Sequence, residues 1–380
     1  PYAEMTLPAL ARAGWEIHKA APEVDRSILN QLFPYPHTKI DLPPTHQSLK
    51  HEAALAKLML SARFRDMDAL YIHGPSLCWR AGLALAGPLG RFRLVYHNPD
   101  FYDPLQHPLY AYLEGRICRK SHLHINNEYH RGYITATFYQ SRSIGVISPP
   151  NLSKAWPIPA RDPALRDRLA GGQQDAFVLI VHGGYSPLRM TQQLFEALAL
   201  LDRRYRLVMT GGGGKPDAVD QKLTELGIQD RVVRIGKPDF QALLAHTVNC
   251  DAGILLYESS LGNFFTAPGR LTEYLSCGLP VLGSAYTGLE RVVYGFKVGT
   301  CADGYDPKDL AEGIKRLSTG KEAGKYEPNA MREQFENHLA YEHWEPLVVE
   351  GFERMMTPDG SKKNHLWPRP WWPGPPAFRD

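Results

Sequence analysis

Residues 258–284, ESSLGNFFTAPGRLTEYLSCGLPVLGS, decide how this chain folds. A polar loop with Gly, Asn and Pro runs into a short amphipathic turn bearing one acidic residue, Glu273. Cys277-Gly278 stops that turn, and Pro280-Val281-Leu282 starts a new apolar run. The order is loop, helix, glycine cap, strand. The first turn of such a helix offers N–H groups without intrahelical partners at the positive end of its dipole, where an anion is stabilised. A carboxylate one or two turns further on can accept two hydrogen bonds from a vicinal diol. Anion plus diol describes a nucleotide diphosphate with its ribose.

The same alternation extends on both sides. Ala176–His182 (AFVLIVH) is a continuous apolar run suited to a strand buried on both faces. Gly183-Gly184-Tyr185 follows, then Ser186-Pro187 as an N-cap and N1 pair, with Met190, Leu194, Leu198 and Leu201 at helical spacing. Further strands are predicted at Arg206–Thr210, Arg231–Ile235, Ala252–Leu256 and Pro280–Ser284, with helices at Asp217–Leu226 and Phe240–Ala245. In the first half, Trp15–Ala20, Ala69–His73, Phe92–His97 and His122–Asn126 read as strands and His51–Arg65 as a helix. Helix-like sequence (MTLPALARAG) stands at the very start, where an α/β domain normally has a strand. Residues 146–160, VISPPNLSKAWPIPA, are proline-rich and lack periodicity, which marks a linker. The pattern predicts an α/β protein of two Rossmann-like domains facing a cleft, the N-terminal one lacking its first strand. Their expected bounds are 1–155 and 156–330, followed by helices over 331–358 and a Pro/Trp-rich tail over 359–380 with a docking role.

Composition narrows the function. At 380 residues, with 43% apolar and 22% charged content, the chain is an ordinary globular protein, and a net charge of +3 is too small to argue for nucleic acid. Basic clusters at Arg63/Arg65, Arg91/Arg93 and Arg116/Arg119/Lys120 read either as solvated surface or as a face touching anionic lipid or an acidic acceptor. Five cysteines (78, 118, 250, 277, 301), widely spaced and without a CxxC pair, argue against a disulfide framework and a structural zinc site. They suit the cytoplasm, with a membrane-peripheral position as the sharper variant. No apolar run is long enough to span a bilayer. His122, His124 and His130 lack the acidic or cysteine partners of a metal site.

Four segments in order resemble the donor domain of GT-B retaining glycosyltransferases of the large family 4-like, group 1 type. They are FVLIVHGGYSPLRMTQQLFEAL (177–198), RLVMTGGGGKP (206–216), DRVVRIGKPDFQALLAHTVNCDAGILLYES (230–259) and LTEYLSCGLPVLGS (271–284). TGLERVV (287–293) and EHWEPLVVEGFERMM (342–356) resemble that family's downstream acidic turn and closing helices, which cross back to the N-terminal domain. The resemblance implies a hexosyltransferase that moves a sugar from a nucleotide-diphosphate sugar to an acceptor hydroxyl with retention of configuration. No cofactor is implied, the nucleotide sugar being a co-substrate. No metal is implied either, because basic side chains and helix N-termini neutralise the leaving diphosphate. The partners expected are the nucleotide sugar and a sugar, lipid-linked or small-molecule acceptor.

Carried over residue by residue, Glu273 binds the ribose hydroxyls; its plain alternative is a surface helix glutamate. Arg189 grips the diphosphate bidentately, or is a solvated helix residue. Backbone N–H groups of Gly184, Gly269 and Arg270 complete the anion cradle, and Arg270 stands at a position where relatives carry a phosphate-binding base. Gly236-Lys237 lie beside the nucleobase, and Asn263 takes a sugar hydroxyl. Phe265 stands where many relatives have a second glutamate, eight positions before the first. The glycines at 211–214 form a strand-to-helix turn. The catalytic candidates are His97, at a strand end, and Asp100 beyond it; with Asp103 they either meet the sugar and acceptor or serve the loop's own structure. Two rivals share the fold: a nucleotide-sugar epimerase, which needs an acid–base carboxylate pair, and a non-catalytic sugar-nucleotide-binding protein. An NAD-dependent oxidoreductase is disfavoured, since no GxGxxG follows a strand with an acidic residue at the expected distance.

Overall fold

The computed structural model describes residues 2–22, 35–42, 50, 53–54, 57–58, 66–73, 92–98, 105, 107–141, 144–147, 152–212, 216–260, 263, 269–286 and 288–357. They fall into two compact units, one of residues up to Ile147 with those from Tyr341 on, the other from Leu152 to Ala340.

In the first unit, β1 (Ile17–Pro22) pairs in parallel with β2 (His37–Leu42). β3 (Ala69–His73), β4 (Arg93–Asn98), β5 (Leu123–Asn126) and β6 (Ile144–Ile147) form a parallel sheet in chain order. Side chains alternate along β4, so its two faces serve two cores. Val95 joins Leu123 and Ile125 under Leu10 of the helix Tyr2–Arg12 and under Val348, Phe352 and Met355 of the helix Glu345–Met356. Leu94 and Tyr96 face Ile117, Cys118 and Tyr139 on the other side.

The second unit holds β7 (Phe177–His182), β8 (Tyr205–Thr210), β9 (Val232–Ile235), β10 (Ala252–Leu255), β11 (Val281–Ser284) and β12 (Gly299–Ala302). All are parallel, in the order β12-β11-β10-β7-β8-β9. The chain builds outward from β7 to β9, returns to the centre at β10, and builds outward the other way. The reversal opens a crevice at the C-terminal ends of β7 and β10, where such sheets bind ligands. Every residue of β7, β8 and β10 is buried, which explains why apolar residues predominate along them.

The opposite end of the same pair of strands is closed by Asp251. Its carboxylate accepts the Val178 N–H (2.8 Å) and pairs with Arg166 (2.7 Å) and Lys321 (2.8 Å). Burial pushes this carboxyl up, but Lys321 and Arg166 outweigh it and hold it below the ordinary value.

Several expectations shift. The loop expected from residue 146 begins later, because Ile144–Ile147 pairs with β5 as β6. The strands β2 and β12 were not anticipated, each being short and weakly patterned. Most of the predicted helix over His51–Arg65 and the whole tail over 359–380 lie outside the described residues. Among the described residues, no helix is long and apolar enough to cross a membrane.

Candidate functional site

The helix Gly269–Ser276 lies across the crevice of the second sheet. Leu271, Tyr274 and Leu275 are buried at helical spacing, which turns this face onto the strands. Tyr274 is the anchor: its hydroxyl accepts the His182 N–H (2.9 Å) and donates to the Ile254 carbonyl (3.3 Å), tying β7 to β10. Gly253 makes room, since a Cβ there would fall inside the Tyr274 ring. With the helix fixed in this way, Glu273 reaches His182, whose Nδ1–H donates to Oε2 (2.7 Å). The other ring nitrogen of His182 lies 2.8 Å from Thr247 Oγ1. The His182 side chain is 5% exposed and that of Glu273 20%, so the carboxylate still faces solvent.

The carbonyl of His182 collects the positive charge. Arg189 Nη1 and Arg270 Nη1 each donate to it at 2.8 Å. Among the described residues neither guanidinium has a carboxylate within ion-pair distance. Burial, and then the neighbouring charge of Arg270, hold Arg189 below the ordinary arginine value. Arg270 also covers the ring of Tyr257 (5.0 Å to its centre), whose phenol is raised by burial. Two half-buried cations sharing one neutral acceptor create a strong local preference for an oxyanion with several acceptor oxygens.

The loop carrying Arg189 departs from expectation. Ser186-Pro187 does not open the long helix; Pro187–Arg189 makes a single tight turn, and Met190 breaks it with φ +51° before the helix Thr191–Ala199 begins. The Thr191 hydroxyl, rather than Ser186, closes the turn by accepting the Ser186 N–H (2.8 Å). Met190 is buried, which fixes the break, and the break folds Arg189 back over the strand end. Gly183, at φ +122°, takes a conformation that L side chains rarely adopt, and a Cβ there would also displace the Arg189 guanidinium.

The structure thus brings Gly184, Arg189, Gly269, Arg270 and Glu273 to the ends of β7 and β10. Gly236 and Lys237 are exposed at the end of β9, two strands away, linked through Gly211, which donates to the Ile235 carbonyl (3.0 Å). Asn263 is turned onto its own loop, donating to the Glu258 carbonyl (3.1 Å). Glu258 in turn donates its N–H to Leu188 (3.2 Å), so the loops after β7 and β10 are joined. Asp100, Asp103 and Phe265 lie outside the described residues. His182, Thr247, Tyr257 and Tyr274 were not singled out from sequence. The available signal was a lone ionisable residue closing the buried run AFVLIVH just before two glycines.

His97 belongs to the first unit and is fully buried at the end of β4. Its Nδ1 lies 2.6 Å from the Tyr71 hydroxyl, its Nε2 3.4 Å from Asn127 Oδ1, and its ring edge-on to His73 at 4.8 Å. Burial, and then His73, hold it well below the ordinary histidine value. Neighbouring His122 accepts the Leu94 N–H on Nδ1 (3.0 Å), and His124 stacks on Tyr96. Among the described residues, no group of three or more His, Cys, Asp or Glu side chains converges as a metal site would require.

A doubly wound sheet with paired cations and an accessible carboxylate at its switch point has the makings of the nucleotide-binding half of a GT-B protein. Residues 168–337 match the family described as Glycosyl transferases group 1. Over 162 residues it is 32% identical to D-inositol 3-phosphate glycosyltransferase of Thermomonospora curvata, a match covering 40% of this chain and 36% of that protein. The protein of the same name from a Nocardioides species is 31% identical over 164 residues, 39% of this chain and 35% of the relative. The chain therefore spans little more than a third of the length of these relatives. Among solved structures it is similar to Anabaena Alr3699/HepE in complex with UDP, at 17% identity and a TM-score of 0.72, covering 93% of this chain and 96% of that one. It is also similar to sucrose-phosphate synthase from Thermosynechococcus elongatus, at 15% identity and a TM-score of 0.69, covering 93% and 92%. These likenesses are of fold, and the fold is GT-B.

Proposed function

We propose that this protein transfers a hexosyl group from a nucleoside-diphosphate sugar to an acceptor hydroxyl with retention of anomeric configuration. The observation that carries this reading is the convergence of Arg189 and Arg270 on the His182 carbonyl beside the accessible carboxylate of Glu273. The guanidiniums and the N-terminus of the helix Gly269–Ser276 neutralise the departing diphosphate, and Glu273 holds the ribose diol. The acceptor then attacks on the face the diphosphate leaves, which retains the anomeric configuration. Gly236 and Lys237 border the base, and Asn263 the sugar. The nucleotide sugar serves as co-substrate, with no further cofactor.

A lipid-linked acceptor at the cytoplasmic face of a membrane is the finer reading of partner and place. The helix Pro108–Lys120 exposes Leu109 (66%) and Tyr112 (57%) alongside Arg119 and Lys120, an apolar and basic surface suited to an anionic headgroup layer.

The decisive experiment is calorimetric titration of the full chain with UDP, GDP and ADP, followed by transfer and hydrolysis assays on the matching sugar nucleotides. Glu273→Ala should weaken the preferred diphosphate by about ten- to a hundredfold, the loss of hydrogen bonds to a charged acceptor. Equal binding by parent and variant would show that the assigned ribose site is wrong.

A further inference from the structure

Glu273 does not stand alone. Its Oε2 is engaged by His182 Nδ1–H (2.7 Å), and among the described residues Oε1 has no partner. A glutamate side chain has three rotatable bonds, so a carboxylate one-fifth exposed on a helix surface would ordinarily sample several directions. Here one oxygen is tethered, which restricts the directions the carboxylate can take, and the second oxygen has no protein partner among the described residues.

The tether is itself held on every side. The His182 ring packs against Tyr274 (4.5 Å between centres), its far nitrogen meets Thr247 Oγ1 (2.8 Å), and its own N–H is held by the Tyr274 hydroxyl (2.9 Å). Thr247 is in turn fixed by donating to the Leu243 carbonyl of its own helix (2.7 Å). The carbonyl of His182 gathers Arg189 and Arg270. One residue thereby couples the diol-binding and phosphate-binding halves of the site, through its side chain and its main chain respectively.

We infer that His182 is a positioning residue for ribose recognition, orienting Glu273 so that the nucleotide's 2′- and 3′-hydroxyls are selected over a sugar lacking them. The inference rests on the proposed nucleoside-diphosphate site. It follows that the side chain of His182 governs discrimination between ribose and deoxyribose, whereas its carbonyl, present in any variant, keeps the arginines in place.

The test compares affinities for UDP and 2′,3′-dideoxy-UDP in the full chain. The parent should prefer UDP, and His182→Ala should lower that preference about tenfold while dideoxy-UDP affinity changes little. His182→Asn places an amide donor where Nδ1 stood and should restore most of the preference; His182→Gln, whose amide reaches toward Thr247 instead, should not. Thr247→Val, which frees the ring to rotate, should give an intermediate loss and serves if His182→Ala fails to fold. A merely structural role would weaken both ligands alike, and that outcome, or an unchanged preference in His182→Ala and Thr247→Val, overturns the inference. If the parent binds no nucleoside diphosphate of the UDP, GDP and ADP panel, the proposed function falls and this inference with it. A parent that discriminates alongside variants that discriminate equally removes only the role of His182.

Discussion

His182 and His97 occupy equivalent places in two parallel sheets, each at the C-terminal end of a strand, and their surroundings make them different residues. His182 faces a carboxylate and a hydroxyl, with two guanidiniums on its own carbonyl. His97 faces a phenol, an amide and another histidine, with no carboxylate bonded to it among the described residues and nothing exposed to solvent. The first arrangement organises charge at a surface crevice; the second keeps a neutral ring inside a core. Strand-end position alone therefore does not make a functional histidine, and the groups packed around it decide.

The largest expected effect breaks the comparison at its charged side. The double substitution Arg189→Ala, Arg270→Ala should lower UDP affinity by about a hundred- to ten-thousandfold, since each charge-assisted hydrogen bond contributes roughly 1.5–3 kcal/mol. His97→Ala should leave that affinity within about threefold of the parent, corresponding to less than about 1 kcal/mol. Calorimetry on both variants decides it, and equal losses would mean that the two strand ends are not distinct in kind.

Asp251 separates structure from binding within the second unit. It is nearly enclosed and fully paired, whereas Glu273, at the other end of the sheet, keeps an accessible oxygen. Asp251→Asn should cost about 3 kcal/mol of stability, because Arg166 and Lys321 lose their common counter-charge in a buried place. Urea unfolding should report this loss while the UDP affinity of the folded protein stays unchanged. Because this carboxyl is held below its ordinary value in the folded state, its contribution is complete above about pH 4 and fades as the pH falls through the lowered value.

This contrast also explains what could be read from sequence. β7, β8 and β10 are buried on both faces, so their apolar runs announced them, and the turn at Cys277-Gly278 followed from residue chemistry. Glu273 was legible because an acidic residue on a short amphipathic helix between loop and strand has few explanations. His182 was not, because its partners Thr247 and Glu273 are 65 and 91 positions away in the chain. The turn of Arg189 back over the strand depends on Met190 adopting φ +51°, a conformation a methionine gives no local warning of. In the first unit the short strands β2 and β6 gain their stability from pairing with neighbours, which leaves little trace in their own residues.

Acid should distinguish the units by its threshold. His124 is pushed down to about 3 by burial, and burial with the nearby His73 holds His97 well below its ordinary value. Each ring is uncharged in the folded state, while the unfolded chain takes up a proton near pH 6.5. Stability of the first unit is therefore full above that pH and declines below it, by up to about 1.4 kcal/mol per pH unit for each ring. Hydrogen exchange at pH 7, 6 and 5 should show the sheet β3–β6 loosening while β7–β12 hold. A first unit as protected at pH 5 as at pH 7 would contradict the neutral cluster.

The smallest expected effect tests how that neutrality is maintained. Tyr71 has its phenol raised by burial, so it remains a donor, and the 2.6 Å contact delivers its O–H to His97 Nδ1. The proton of His97 is then on Nε2, facing Asn127 Oδ1 at 3.4 Å. Tyr71→Phe removes the donor and leaves a buried acceptor nitrogen without it, a loss of about 1 kcal/mol in urea unfolding. Nitrogen NMR of the histidine rings should show His97 passing from a single tautomer to a mixture, with the His182 signals unmoved. A loss of the tautomer preference without any loss of stability would mean that the core around His97 relaxes to satisfy the ring in another way. An unchanged tautomer would mean that Tyr71 does not set it, and that the neutrality of His97 comes from burial and His73 alone.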